Sequence, residues 1–314
     1  MRFVVFGLYA VMTATLNGGH PFLARECRDA GMTANQLYEA RIEGAVRRIL
    51  DRVFVDAHAA DTRQLRIEAI KLVAPKHAVV ADDWASWIYD VDTFAPSKRH
   101  SLSPTLVVPH GQSRTRIDDL ACRQALIKRK DILEIDGLKI TTPVRTASDF
   151  LRKKWRPYAL SAADSMAHAG LVTMEEVWEF VAPLKGYRGI RQARNLALLI
   201  EARAASPGES WTRLRVVDAG FAIPESQWEV LDRDGNTRFL DLAYPKLMIA
   251  IEFDGAGFHT AEPDRRHDKY RRKLVSALGF RNLIAEFADI FGKDPRFERE
   301  LGRFLGITPL ERSW

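Results

Sequence analysis

The chain changes its hydrophobic rhythm several times. Residues 21–30 and 34–43 each read as a short helix, with Leu37 and Ala40 at helical spacing in the second. Gly31 separates the two, Thr33 stands where an N-cap belongs, and Gly44 closes the pair. Residues 46–55 follow as a hairpin with a basic tip. Helix, glycine turn, helix, hairpin is the order of a winged helix-turn-helix. Residues 62–73 form an amphipathic helix, and 82–89 a second one that turns Trp84 and Trp87 inward. Strands are expected at 106–109 and 135–141, and a helix starts behind Pro143. Residues 158–205 are helical, in three pieces at 159–169, 173–181 and 189–205. From Ser206 the order becomes helix, three strands, helix, strand, helix, with the second helix at 263–275. That order suits a small mixed sheet with helices on its faces. The expected class is therefore mixed α/β: a winged helix over 20–58, a middle α+β domain over 59–204, and a sheet domain over 205–314.

Residues 237–259, in the last domain, carry the sharpest chemistry. Residues 238–243 alternate charged and apolar positions, 247–254 are mostly apolar, and Tyr244-Pro245-Lys246 breaks the two. A strand buried on both faces should carry no unpaired carboxylate. This stretch carries Asp241, Glu252 and Asp254. Glu252 and Asp254 stand two apart and leave one face of their strand. Asp241 can reach that face across the hairpin. Carboxylates gathered this way repel unless a cation sits between them, and a hard divalent ion suits oxygen donors. The plainer alternative is that strand-end acids face water, Asp254-Gly255 being a common turn pair. Glu209 likewise has a structural explanation: Ser206-Pro207-Gly208-Glu209 is a capping box with proline at the first helical position.

Glu209-Ser210, Asp241-Leu242-Ala243-Tyr244-Pro245, Ile251-Glu252-Phe253-Asp254-Gly255 and His259 together resemble the very-short-patch-repair branch of the PD-(D/E)xK restriction-nuclease superfamily, over about residues 205–291. The resemblance implies a restriction-endonuclease-like domain that hydrolyses phosphodiester bonds with Mg²⁺ or Mn²⁺. Asp241 would hold the metal with Glu252 or Asp254, Glu209 would join them from the first helix, and His259 would stand near the attacked phosphate. The superfamily's usual lysine would fall at Asp254, and the zinc ligands of the repair enzymes are missing, since Cys27 and Cys122 lie far upstream. A second resemblance covers about residues 20–180. Thr141, Pro143, Arg145, Thr146 and Asp149 match a TxPxRTxxD stretch of antitoxins from abortive-infection (type IV) toxin–antitoxin systems, in which a winged helix comes first. Arg145 and Asp149 stand i,i+4, so a structural helix pair explains them equally well.

Composition then bears on partners. Of 314 residues 46% are hydrophobic and 28% charged, which suits folded domains, and the net charge is +6. A basic chain favours polyanions, DNA above all. Arg41, Arg47, Arg48 and Arg52 sit on or beside the expected recognition helix and wing. Arg265, Arg266, Lys269, Arg272 and Lys273 are left for the outside of the helix after His259. Lys185 to Arg194 holds four basic residues and no acid. Two distant cysteines make neither a disulfide framework nor a zinc site, and a reducing cytoplasm is the expected compartment. The apolar stretch Phe3–Met12 is too short to span a bilayer, and 17–20 make a poor cleavage region. Two functions follow: a metal-dependent endonuclease, or a DNA-binding, antitoxin-like regulator that keeps a nuclease fold without turnover. Either leaves a toxin or a methyltransferase as the protein partner.

Overall fold

The computed structural model describes residues 19–29, 31–94, 104–110, 121–232, 235–254 and 277–314. The expected helix 263–275 and its basic residues, with His259, lie outside them. The chain divides into two compact units, residues 1–146 and 147–314.

In the first unit β1 (Phe22–Leu23) leads into α1 (Ala24–Asp29) and α2 (Ala34–Ile42), followed by the hairpin of β2 (Val46–Leu50) and β3 (Val53–Asp56). The three strands form one sheet in the order β1-β3-β2. α2 starts at Thr33 through a full capping box: the Gln36 amide N–H donates to the Thr33 hydroxyl, and the Thr33 amide N–H donates to the Gln36 side chain. Cys27, Met32, Leu37, Ala40, Val46 and Phe54 seat both helices on the sheet. This is the winged helix that the sequence pattern predicts.

The winged helix does not end its core at residue 58. α3 (Arg63–Lys71) lays Leu65, Ile67 and Ile70 against Ile49, Leu50 and Val53 of the wing. The same core takes in Trp84 and Trp87 of α4 (Asp83–Ile88), whose rings meet edge to face at 5.3 Å. It reaches the strands β4 (Val79–Val80), β5 (Thr105–Pro109) and β8 (Leu138–Thr141), which with β6 (Ala121–Ala125) and β7 (Ile132–Ile135) form a five-stranded sheet ordered β6-β5-β4-β8-β7.

The unit boundary falls within the helix α5 (Pro143–Lys153). The second unit holds α6 (Arg156–His168), α7 (Met174–Val181), α8 (Ile190–Ala197) and α9 (Pro207–Asp218). α9 belongs with α6 because a buried ion pair joins them: Arg213 Nη2 lies 2.7 Å from Asp164 Oδ2, and neither side chain is more than 3% exposed. The Trp211 indole N–H donates to the Ser161 hydroxyl beside it at 3.1 Å. α9 then covers one face of the sheet β12-β11-β10-β9, made of β9 (Glu225–Leu231), β10 (Thr237–Tyr244), β11 (Ile249–Asp254) and β12 (Arg281–Glu286). β11 runs antiparallel to β10 and parallel to β12, so the sheet is mixed. α10 (Phe287–Phe291) and α11 (Arg296–Leu305) pack on the same core as Val216, Leu242, Ile251 and Leu283. Among the described residues no helix is long and apolar enough to cross a membrane.

Candidate nucleic-acid interface

Helix periodicity decides which side of α2 faces outward. Leu37 and Ala40 are buried, which leaves Asn35, Tyr38 and Ile42 along the opposite stripe. Tyr38 is 59% and Ile42 68% exposed. Arg41 lies beside the stripe, exposed and without an ion pair among the described residues. Two of the other three arginines expected near phosphate have partners within the fold. Arg47 is half-buried and donates to the Ala59 carbonyl at 2.9 Å, and Arg48 lies 3.5 Å from Asp51. The tip of the wing turns at Arg52, which takes a left-handed φ of 61°. The outward face of the helix is thus amide, phenol and alkyl, flanked by the Arg41 guanidinium on one edge and the exposed Glu39 carboxylate on the other. Six arginines stand against six carboxylates between residues 19 and 58, so the winged helix as a whole is neutral. Sequence reasoning fixed on the arginines and passed over Asn35, Tyr38 and Ile42. Their i, i+3, i+7 spacing was the signal, since it opposes the buried pair.

The acidic corner is built at the other end of the chain. The β10–β11 ladder runs from Tyr244–Ile249 to Leu242–Ile251. One step further, the Asp241 carboxylate accepts the Phe253 amide N–H at 3.3 Å. This brings Asp241 to the backbone between Glu252 and Asp254. Ile249 and Ile251 face the helix-covered core and Ala250 the opposite side, so by alternation Glu252 and Asp254 follow Ala250. Glu252 is 7% exposed and Asp254 is half-buried.

Glu209 approaches from α9. Gly208 permits this, because a Cβ there would lie 2.0 Å from the Phe253 ring. Ser206 caps the helix by accepting the Glu209 amide N–H at 3.2 Å. The Glu209 carboxylate accepts the Ala205 amide N–H at 3.0 Å and the Gln227 side-chain N–H at 2.8 Å. Burial, and next the negative charge of Asp241, push its pKa above the ordinary carboxylate range. The structural and site-like roles of Glu209 thus coincide: it closes the helix start and also feels Asp241.

Among the described residues no group of three or more His, Cys, Asp or Glu side chains comes together as a metal site.

The antitoxin-like stretch is also tied into the fold. The Thr141 and Thr146 hydroxyls meet at 2.7 Å, and Arg145 pairs with the buried Asp131 at 3.2 Å. Asp149, 1% exposed, receives Arg152 at 3.1 Å and Lys153 at 2.7 Å.

Comparison with known proteins agrees with this part of the chain. Residues 78–199 match the family described as AbiEi antitoxin C-terminal domain, which is under half of the sequence and stops short of the acidic corner. Two proteins of Mycobacterium tuberculosis, uncharacterized protein MT2308 of strain CDC 1551 / Oshkosh and uncharacterized protein Rv2248 of strain ATCC 25618 / H37Rv, are each 28% identical over 258 residues, covering 82% of this chain and 92% of their own. The crystal structure of RV2827C protein from the same species aligns over 73% of this chain and 87% of its own, at 11% identity and a TM-score of 0.32, too low for a shared fold to be read from it.

Proposed function

We propose that this protein is a DNA-binding, antitoxin-like regulator whose α2 enters the major groove. The observation that carries the reading is the outward stripe Asn35, Tyr38 and Ile42 on a helix firmly seated and capped from behind. An asparagine there suits adenine, whose N6 and N7 present a donor and an acceptor together. An alkyl group suits the thymine methyl. The match of residues 78–199 to an antitoxin domain supports the regulatory half of the reading, with a toxin as the partner whose effect is opposed. The test is enrichment of duplexes from a random pool by the full chain, followed by gel shifts. A consensus site should emerge, and Asn35→Ala should bind it no better than unrelated sequence. A pool that never converges refutes the reading. Co-expression with a toxin encoded beside it tests the partner: growth should recover.

A second reading, a Mg²⁺-dependent endonuclease, is favoured by the approach of Glu209 to Asp241 at a strand end. Plasmid DNA incubated with Mg²⁺ or Mn²⁺ decides it. Cutting by the wild type that disappears in Asp241→Ala supports turnover, and intact plasmid with both metals rejects it.

A further inference from the structure

We infer that the junction of α5 and α8 is a second DNA-binding surface, one that grips duplex phosphates without reading sequence. It rests on the DNA-binding reading above and assigns contacts that the winged helix does not supply.

Two acid-free segments meet at this junction. Residues 150–156 contain Arg152, Lys153, Lys154 and Arg156, residues 185–194 contain Lys185, Arg188, Arg191 and Arg194, and neither has an Asp or Glu. Like charges repel, so a fold holds such segments together only where other interactions offset the repulsion. Here most of these interactions run to backbone carbonyls. The Gln192 amide donates to the carbonyls of Leu151 at 2.8 Å and Lys154 at 3.0 Å. Arg152 Nε donates to the Arg188 carbonyl at 3.4 Å, and its guanidinium lies 4.8 Å from the Tyr187 ring centre. Arg194 donates to the carbonyls of Ala182 and Leu184. Gly189, with a φ of 75°, sits so close to Arg152 that a Cβ would fall 1.9 Å from its carbonyl oxygen.

The pinning spends some of the cations and spares others. Arg152 and Lys153 pair with Asp149, and Arg156 pairs with Asp218 at 2.6 Å. Lys185, Arg188 and Arg191 are exposed and have no ion pair among the described residues. They recur every third residue along a segment whose backbone is fixed from beneath. A row of cations already held in place loses little freedom on meeting a row of phosphates. Single-stranded nucleic acid would call for free aromatic faces to stack its bases. Tyr187 at this junction lies under Arg152, and Trp155, though 50% exposed, packs with Tyr158, Phe291 and Trp314, so no row of open rings lies along the cations for successive bases to stack on. Duplex DNA, met at its backbone, is therefore the ligand this surface fits. It also answers the neutrality of the winged helix, which has no surplus charge for the sequence-independent part of DNA affinity.

The experiment uses the full chain, a short duplex of arbitrary sequence and a single-stranded RNA of equal length, with anisotropy followed from about 50 to 200 mM salt. The triple variant Lys185→Gln, Arg188→Gln, Arg191→Gln is compared with a charge-matched control, Lys76→Gln, Lys293→Gln, Arg303→Gln. The triple variant should make the slope of log affinity against log salt shallower by about 2.7, roughly 0.9 for each phosphate contact removed, and weaken duplex binding on the order of 100-fold near 0.1 M salt. The control should keep the wild-type slope. An unchanged slope in the triple variant overturns the inference, as does an equal loss in the control. A loss confined to RNA overturns it in favour of RNA. Duplex binding that lacks sequence preference yet falls in the triple variant keeps the junction and rejects the winged-helix reading. A selected site that loses its preference in Asn35→Ala while the triple variant binds like wild type does the reverse.

Discussion

Truncating Asp164 to alanine is the sharpest probe of how the second unit holds together. Asp164 and Arg213 are buried partners at 2.7 Å. The other Asp164 oxygen accepts the Glu201 amide N–H at 2.9 Å, and Arg213 Nη1 donates to the Leu199 carbonyl at 2.6 Å. Alanine would leave a guanidinium in the core with one carbonyl for company and would orphan the Glu201 N–H. Breaking one side of a buried pair costs about 3–5 kcal/mol. A newly unsatisfied amide costs about 1–3 kcal/mol where water cannot reach it. Set against a total stability of roughly 5–15 kcal/mol, that is a large share. Urea unfolding, with hydrogen exchange resolved to peptides of α6 and α9, measures it. The double variant Asp164→Leu, Arg213→Met should recover most of the loss, because a buried pair replaced by apolar side chains of similar size is often neutral or better. A cost below about 1 kcal/mol for Asp164→Ala, or a double variant as unstable as the single, would refute the argument that this pair joins α9 to α6.

Thr33→Ala removes the cap of α2 and should cost about 1 kcal/mol by thermal unfolding, with weaker DNA binding as the helix start frays. Glu209 has a folded-state pKa above its unfolded one, so the native protein holds the extra proton and stability falls as pH rises from the ordinary carboxylate range through the raised value. Glu209→Gln should flatten that limb, read from melting temperatures across pH. Burial, chiefly, pushes the Cys27 thiol up to about 11, and the side chain is 2% exposed. Iodoacetamide should therefore modify only Cys122 in the native protein and both cysteines in urea, as counted by mass.

What the sequence made legible was local. The winged helix showed itself through Thr33, Gly31 and Gly44, each of which acts within a turn or two of chain. The paired strands around Tyr244-Pro245-Lys246 and the burial of Trp84 and Trp87 followed from patterning of the same short range. Unit boundaries were hidden because they depend on contacts between distant residues. Nothing near residue 205 says that Arg213 will pair with Asp164, and nothing near 58 says that Ile67 will finish the core begun by Ile49. The same limit applied to charge. The sequence marked Arg47 by its charge but could not show that its guanidinium also donates to the Ala59 carbonyl, twelve residues on. Spacing placed Glu252 and Asp254 on one face, but it could not foresee that a backbone amide would take up Asp241.

Charge along the chain also separates the two functional readings. Residues 206–254, which contain the acidic corner, hold nine carboxylates against five basic side chains. A phosphate backbone approaching those residues meets repulsion unless cations intervene, so an endonuclease built there would draw on divalent ions or on the basic residues 265–273 for binding. The segments 150–156 and 185–194 hold eight basic residues and no acid, and no ion is needed for phosphate to settle on them. A regulator can therefore bind DNA with its acidic corner idle. Glu209 suits such idleness, since a carboxyl group displaced toward its neutral form by burial and by Asp241 can cap its helix without a metal to balance it.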